Sequence, residues 1–363
     1  MYLMKRLNRL DKYLIKQFLG TFVFSIILII SVSVVFDINE KIDDFMKPEV
    51  SLRSIIFDYY FNFVPYYANL FSPLFVFISV IFFTSKLAEK SEIIAMLSAG
   101  VSFKRLMVPY MLSATVIAIL TFLLNSFVIP PGNATRIDFQ NKYIKNKKVQ
   151  YAESVQLEVK KGVFAFFGSY SDAMRTGYQF SLEEFKGKQL VSRLTADRIQ
   201  YDSLYNWRIF NYRIRHFGKY KETVESGSEM DTVIAVRPAD FLVAEDDVET
   251  MTTTDLHTYI SHQKQRGVGN VKLFEIELHK RYAAIFSAFI LTIIGASLSS
   301  RKVKGGMGIN IAIGLGLSFA YILFMTVAGT FAISGSLPPF MAAWLPNFVF
   351  TVIAVFLYKK APR

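Results

Sequence analysis

The residue types that carry enzyme chemistry are sparse in this chain, and their spacing argues against a catalytic centre. Cysteine is absent from all 363 residues, which removes cysteine nucleophiles, thiolate metal sites and disulfides together. His257 and His262 lie five apart, too far round a helix to share a face well, and no HExxH pattern accompanies them. No metal ion and no other cofactor is expected. A G-x-x-x-x-G-K-[ST] loop is also missing, so ATP has no usual cradle here. Gly305-Gly306-Met307-Gly308 beside Lys304 reads as a tight turn leading into a helix, not as a phosphate site. The segment with the most chemical promise is Ser91-Glu92-Ile93-Ile94-Ala95-Met96-Leu97-Ser98-Ala99-Gly100. A capping serine, an acidic first turn and a glycine stop predict a short helix. Ile93, Ile94, Met96 and Leu97 give it a greasy side, and Glu92 projects from its first turn. An interfacial helix packed on a bundle and a docking element for another protein both fit that pattern.

The elements that position these residues are written in the charge distribution. The chain is 52% apolar and only 19% charged, against roughly 25% charged in a typical soluble domain, and its mean hydropathy is positive. Residues 17–36, 63–85, 106–135, 282–300 and 305–358 contain no Asp, Glu, Lys or Arg. A bilayer core about 30 Å thick needs about 20 apolar helical residues. The first four runs supply one span each. The fifth supplies two, broken at Ser334-Gly335-Ser336-Leu337-Pro338-Pro339. Six spans are therefore expected. Lys and Arg collect before the first span, between the second and third, between the fourth and fifth, and after the sixth, as in Lys5, Arg6, Lys86, Lys90, Arg301, Lys302, Lys359 and Lys360. All four places lie on one side of a six-span chain, so both termini are expected in the cytoplasm and the long segment after span three outside it. The net charge of +12 follows in large part from this topology, and nucleic acid is not an expected partner.

The reading divides the chain into an N-terminal membrane half over 1–130, an external domain over 131–270 and a C-terminal membrane half over 271–363. Leu3, Leu7, Leu10 and Leu14, interleaved with Lys5, Arg6, Arg9, Lys12 and Lys16, predict a basic amphipathic helix resting at the headgroup level ahead of a retained first span. In the external domain, Val155–Val159 and Arg208–Arg215 alternate apolar with polar residues, the signature of half-buried strands. Turns are expected at Lys161-Gly162, Phe167-Gly168-Ser169, Lys186-Gly187-Lys188 and Glu225-Ser226-Gly227-Ser228. Short strands so spaced suggest a sandwich or jellyroll. A helix over 252–266, capped by Thr254, presents Leu256, Tyr259 and Ile260 on one face. No carboxylate or histidine lies within the uncharged runs. Ion-coupled carriers keep such groups inside their spans, so transport here would draw its energy from elsewhere.

Three runs make the reading specific. Ser91–Ser102 resembles the coupling-helix region of the LptF/LptG (YjgP/YjgQ) permease family, with its acidic residue and small-residue turn. Leu337-Pro338-Pro339 followed by Ala342-Ala343-Trp344-Leu345-Pro346-Asn347 resembles the start of that family's last span, and His279-Lys280-Arg281 the opening of its fourth. The N-terminal run Leu10–Asp37 is similar too, and closer to the LptG branch than to LptF.

The resemblance covers nearly the whole chain and implies six transmembrane helices with a periplasmic all-β jellyroll between spans three and four. It implies the non-catalytic permease subunit of an ABC transporter that extracts lipopolysaccharide from the inner membrane. The implied partners are two copies of a cytoplasmic LptB-like ATPase, a paralogous LptF-like permease, a bitopic LptC-like protein and a periplasmic LptA-like bridge. Glu92, Ile93, Met96, Leu97 and Gly100 would then couple to the ATPase, and spans one and five would line lateral gates, with Gly305, Gly306, Gly308, Gly314 and Gly316 allowing adjustable contact. Lys41, Lys47, Arg136 and Lys142 would meet lipid phosphates, although the stretch Asp37–Asp44 departs from the family pattern in being net acidic. Phe164, Phe166 and Phe167 are candidates for an acyl channel. A permease for another amphiphile, such as a phospholipid or lipoprotein, and a non-transporting scaffold that only holds partners are the alternatives.

Overall fold

The computed structural model describes residues 8–144, 151–218, 220–238, 241, 245–265, 271–301, 306–333 and 336–361. Among them, six helices are long and apolar enough to cross a membrane. The chain forms two compact units, Met1–Phe139 with Glu275–Arg363, and Gln140–Phe274.

In the helical unit, α1 runs unbroken from Arg9 to Phe45. Its 37 residues extend about 55 Å, well beyond an apolar core of about 30 Å. Leu14 is fully buried and Leu10 packs beside it in the bundle core. These leucines therefore do not face a headgroup layer: the lead-in is the first turns of the span itself, and Leu3 and Leu7 lie outside the described residues. After a single turn, α2 (Leu52–Ser54), a π-helical segment occupies Ile55–Tyr60. Next come α3 (Phe61–Leu70) and α4 (Ser72–Glu89), separated just before Pro73, whose ring suits the first turn of a new helix. The short α5 (Glu92–Ser98) precedes α6 (Phe103–Leu123), a second π segment (Leu124–Val128) and α7 (Ile129–Phe139). A third π segment covers Gln140–Ile144, so helical structure continues well past residue 130. The helical unit is completed by α9 (Val271–Ser299), α10 (Gly306–Ile333) and α11 (Pro339–Lys360), while α8 (Thr253–Gln265) belongs to the second unit.

Helix ends correct two expectations. Thr252, not Thr254, caps α8, accepting from the Asp255 backbone N–H at 3.2 Å. Ser91 does not cap α5: it holds φ 59°, and its side chain makes no capping bond. Its left-handed backbone makes the sharp turn out of α4 instead, and the loop's capping serine is Ser102, which accepts from the Arg105 N–H at the start of α6.

Gly100 ends α5 as expected. At φ 87° it closes a paired motif in which its N–H bonds Leu97 O at 3.0 Å and the Val101 N–H bonds Met96 O at 3.1 Å. A side chain would strain that conformation.

The bundle core is built from α1, α4, α6, α9, α10 and α11, with Phe18, Phe75, Phe77, Val80, Tyr110 and Leu291 among its enclosed side chains. The Ala-Ala-Trp-Leu-Pro-Asn run sits at a three-helix junction. Buried Ala342 and Ala343 leave room for close approach. Asn347 donates from Nδ2 to Ala283 O of α9 at 2.9 Å and accepts from the Tyr321 hydroxyl of α10 at 2.8 Å.

The second unit holds one antiparallel sheet in the order β1 (Tyr151–Lys160), β2 (Val163–Ser171), β3 (Thr176–Lys186), β4 (Gln189–Ser203), β5 (Asn206–Phe217) and β6 (Glu222–Val233). This β domain is inserted between spans three and four. Its described strands form a sequential meander, in which every neighbour in space is a neighbour in sequence. Gly162 and Gly187, both at positive φ, make the expected turns. Gly168 and Gly227 do not, since they lie inside β2 and β6.

The reason is a transverse kink. Core residues alternate normally through Ala165 and Phe167 in β2 and Leu194 and Ala196 in β4, then skip three positions to Tyr170 and Ile199. The phase slips in every strand of the row Gly168, Gln179, Asp197, Asn211 and Ser228, so the ladder stays paired while the pleat changes face. Gln179 (φ 53°) and Asn211 (φ 51°) absorb the slip. Glycine is required where the neighbouring strand closes in: a Cβ on Gly168 would sit 2.6 Å from Gln179 Oε1, and one on Gly227 2.6 Å from the Tyr212 hydroxyl. Both Gln179 and Asn211 are exposed, which isolates backbone strain from packing. Asn211→Val is expected to destabilise the β domain by about 1–3 kcal/mol, while Asn211→Gly is tolerated. Hydrogen exchange of the β5 amides in the purified full chain measures both.

The core face of the sheet is closed by Ile234, Val236 and Phe241, and Trp207 Nε1 donates to Val236 O at 2.9 Å. Phe167 belongs to this core, against Phe180, Trp207 and Phe241. Phe164 and Phe166 alternate onto the other face. There Phe166 lines a groove of about 930 Å³ whose other walls are mostly polar, including Ser181, Thr195, Asp197 and Arg213. The three phenylalanines therefore do not share one channel.

Candidate functional site

Two clusters in the helical unit collect the residues singled out above. The first lies at the end of the bundle where α1 begins. Ile93 is buried, and Met96 and Leu97 pack partly against the same core, so these side chains hold α5 to the bundle. Ile94, Ala95 and Ser98 are exposed and form the face that α5 offers outward. Glu92 is half-buried, and its Oε2 accepts from the Tyr13 hydroxyl of α1 at 3.2 Å. Beside this contact, Arg105 in the first turn of α6 grips buried Asp11 of α1 with a two-pronged pair, Nη1 to Oδ1 and Nη2 to Oδ2, each 2.7 Å. Asp11 Oδ2 also accepts from the Asn8 backbone N–H at 3.0 Å. Sequence reasoning found Glu92 and missed Asp11, Tyr13 and Arg105. Asp11 and Arg105 are separated by 94 positions, and no local periodicity reports such a pairing.

The second cluster lies at the other end of α1. Asp37, almost fully buried, accepts from Lys41, from the Tyr59 hydroxyl at 3.1 Å and from the Tyr60 hydroxyl at 2.9 Å. Lys41 also donates to Tyr59 Oη at 2.8 Å. Tyr59 and Tyr60 come from the first π segment, and Phe45, Phe63 and Phe139 surround them. Burial first, and the neighbouring Asp37 carboxylate second, push the Tyr60 phenol far above its ordinary range. It stays a donor throughout the physiological range. The i,i+4 spacing of Asp37 and Lys41 is the sequence signal that could have found this pair.

The other expected cations are engaged within the chain as well. Lys47 bonds Asp44 at 2.7 Å. Arg136 is buried, donates from Nε to Asn133 Oδ1 at 2.7 Å and stacks 4.5 Å from the Tyr66 ring centre. Lys142 lies 4.8 Å from the Tyr143 ring centre. An anionic ligand at Lys41 would have to compete with Asp37. Of Gly308, Gly314 and Gly316, only Gly314 lies in a helix contact, against Ile81 and Phe77 of α4; a Cβ on Gly308 or Gly316 would meet nothing within 4 Å. Gly305 falls outside the described residues. Among the described residues, no group of three or more His, Asp or Glu side chains is placed to hold a metal ion.

Six apolar helices, a β domain inserted between the third and fourth, and a short amphipathic helix offered at the end where the first span begins define a polytopic membrane protein of the permease type. The chain belongs to the lipopolysaccharide export system permease LptF/LptG family, which matches residues 12–360. Among its relatives, the lipopolysaccharide export system permease protein LptG of Escherichia coli (strain K12) is 19% identical over 97% of this chain and 98% of its own length. LptG of Haemophilus influenzae is 20% identical over 98% of this chain and 99% of its own. The similarity is LptG-like across its full extent, and it places the protein in the inner membrane as a multi-pass subunit.

Proposed function

We propose that this chain is the LptG-type permease of an ABC transporter that draws lipopolysaccharide out of the inner membrane and passes it toward a periplasmic bridge. The observation that carries the reading is the family match over residues 12–360, which spans both membrane halves and the β domain. Both termini face the cytoplasm in this reading, as the Lys and Arg distribution supports, and the β domain faces the periplasm. ATP is hydrolysed by a separate LptB-like subunit in two copies. A paralogous LptF-like permease completes the membrane part, and LptC-like and LptA-like proteins continue the path.

The contact with the ATPase is α5. Glu92 begins the helix, Ile93, Met96 and Leu97 fasten it to the bundle, and Gly100 sets the turn behind it. Its exposed face offers one large apolar side chain, Ile94, beside the small Ala95 and Ser98, suited to a groove on a partner, with the Glu92 carboxylate at its edge.

Purification in mild detergent from the native membrane, with mass spectrometry of proteins and lipids together, tests the reading. Recovery of an ATP-binding subunit, a sister permease and lipopolysaccharide is the expected result. A chain recovered alone, or with a different lipid, would overturn the assembly or the substrate respectively.

A further inference from the structure

We propose that Asp11, Tyr13 and Arg105 are positioning residues that join α5 to the first span, so that movement of α5 is delivered to α1 and carried along it. The inference rests on α5 being the contact with the ATPase. Its geometric basis is that α1 holds α5 from both sides. Tyr13 reaches the first residue of α5 through its hydroxyl bond to Glu92, 3.2 Å long. Two residues earlier, Asp11 holds Arg105, which follows α5 after the tight turn at Gly100 and the Ser102 cap. The α5 segment is thereby bracketed, and a shift of the segment cannot be absorbed in the connection to α6 alone.

The quality of the Asp11–Arg105 contact supports a mechanical role. Both carboxylate oxygens are matched to guanidinium nitrogens in a fork, a geometry that fixes orientation as well as distance. Asp11 is enclosed, with a side chain 3% exposed, while the Arg105 side chain is 42% exposed, so the anion is the fixed partner and the cation is the one drawn to it. Tyr13 occupies only Oε2 of Glu92. The second oxygen remains to face a cation of the ATPase, and the hydroxyl bond sets its direction.

The helix so gripped is suited to transmit. No proline interrupts α1 from Arg9 to Phe45, and Asp11 to Asp37 spans about 39 Å at about 1.5 Å per residue. Only 17% of its most apolar window is covered within the chain, the lowest share among the six spans. A shift of α1 would act on the seam where Leu14, Phe18, Phe22 and Ile30 pack into the bundle core. The far end is held in turn by Asp37 against Tyr59 and Tyr60. A displacement entering at Asp11 thus arrives at a second polar grip.

The test uses the assembled permease–ATPase complex in lipid vesicles containing lipopolysaccharide, and reads lipopolysaccharide released per ATP hydrolysed alongside the amount of ATPase that copurifies. Asp11→Arg and Arg105→Glu are expected to leave assembly near wild type and to lower the ratio about tenfold, within the usual range of coupling between distant sites. The exchanged pair Asp11→Arg with Arg105→Asp is expected to regain most of it. Tyr13→Phe, which keeps the ring and loses the donor, should lower the ratio less. A structural role alone would reduce the yield of complex and leave the ratio unchanged. If the reversals fail to assemble, Arg105→Lys carries the test, because it keeps the charge and loses the fork: a lowered ratio supports the proposal and a wild-type ratio overturns it. Wild-type ratios in the assembled single variants also overturn it, as does a lowered ratio that the exchanged pair leaves unrestored. Glu92→Lys in the same assay separates the two readings. If it uncouples while the Asp11 and Arg105 variants do not, only this inference fails; if it keeps full assembly and turnover, the assignment of α5 fails first.

Discussion

Asp37→Ala is expected to destabilise the helical unit by about 3 kcal/mol, the lower part of the range for removing one member of a buried ion pair. The carboxylate is the centre of its cluster. It accepts from Lys41 and from both tyrosine hydroxyls, and Lys41 has only Tyr59 as a second partner among the bonds described. Without Asp37, an ammonium whose side chain is only 17% exposed faces phenol oxygens in place of an anion. That residual exposure is why the low end applies. Lys41→Ala should cost less, because Asp37 keeps the Tyr59 and Tyr60 donors. Removing both charges with Asp37→Leu and Lys41→Met should cost least, since no uncompensated charge is left behind.

Thermal unfolding of the four proteins in one detergent gives the order directly. A double variant less stable than Asp37→Ala would show that the cluster is held by packing of its aromatic rings and not by charge. The same series bears on the lipid. With Asp37 present, a phosphate that approaches Lys41 must displace an anion already in place. Asp37→Ala is then expected to raise the retention of anionic lipid at this end of α1.

The membrane spans were legible in the sequence for a reason specific to membranes. Each uncharged run must satisfy its backbone internally and reach across a fixed thickness, so length and composition alone locate it. The runs 17–36 and 106–135 fall inside α1 and α6–α7, 282–300 ends one residue past α9, and 305–358 contains α10 and all but the last two residues of α11. Strands were readable where alternation was regular, as in β1 and on either side of the slip at Asn211 in β5. Reading failed where one residue type serves two ends. Glycine marks a turn at Gly162 and Gly187, yet at Gly168 and Gly227 it serves close approach inside a strand, and only the facing residues Gln179 and Tyr212 distinguish the cases. Serine misled likewise at Ser91. The apolar pattern of α5 was sufficient to find the helix, but not to sort anchors from an offered face, because Ile93 and Ile94 are alike in sequence and opposite in burial. The Asp11–Arg105 grip was illegible because it depends on α1 and α6 lying side by side, and the carboxylate carries no local mark of its partner.

Gly314 presents the sharpest steric requirement in α10. Any Cβ there would collide with Ile81 Cδ1 and lie 3.2 Å from Phe77 Cε1, and both side chains are enclosed in the bundle core, at 1% and 0% exposure. Neither can swing aside into solvent. Gly314→Ala is therefore expected to cost about 1–3 kcal/mol as overpacking, and Gly314→Leu to separate α10 from α4 outright. The colliding atom is identified, which makes the compensating change specific. Ile81→Val deletes Cδ1, so Gly314→Ala combined with Ile81→Val should be more stable than Gly314→Ala alone, a non-additivity expected of residues in contact. Gly308→Ala and Gly316→Ala should be stability-neutral or gain up to about 1 kcal/mol from helix propensity, since neither Cβ has a neighbour. These two positions also separate packing within the chain from contact outside it. If α10 serves as a lateral gate against another subunit, Gly308→Leu and Gly316→Leu will lower lipopolysaccharide export while leaving the unfolding temperature of the isolated chain unchanged. Export that survives both would confine the role of glycine in this helix to Gly314 and its contact with α4.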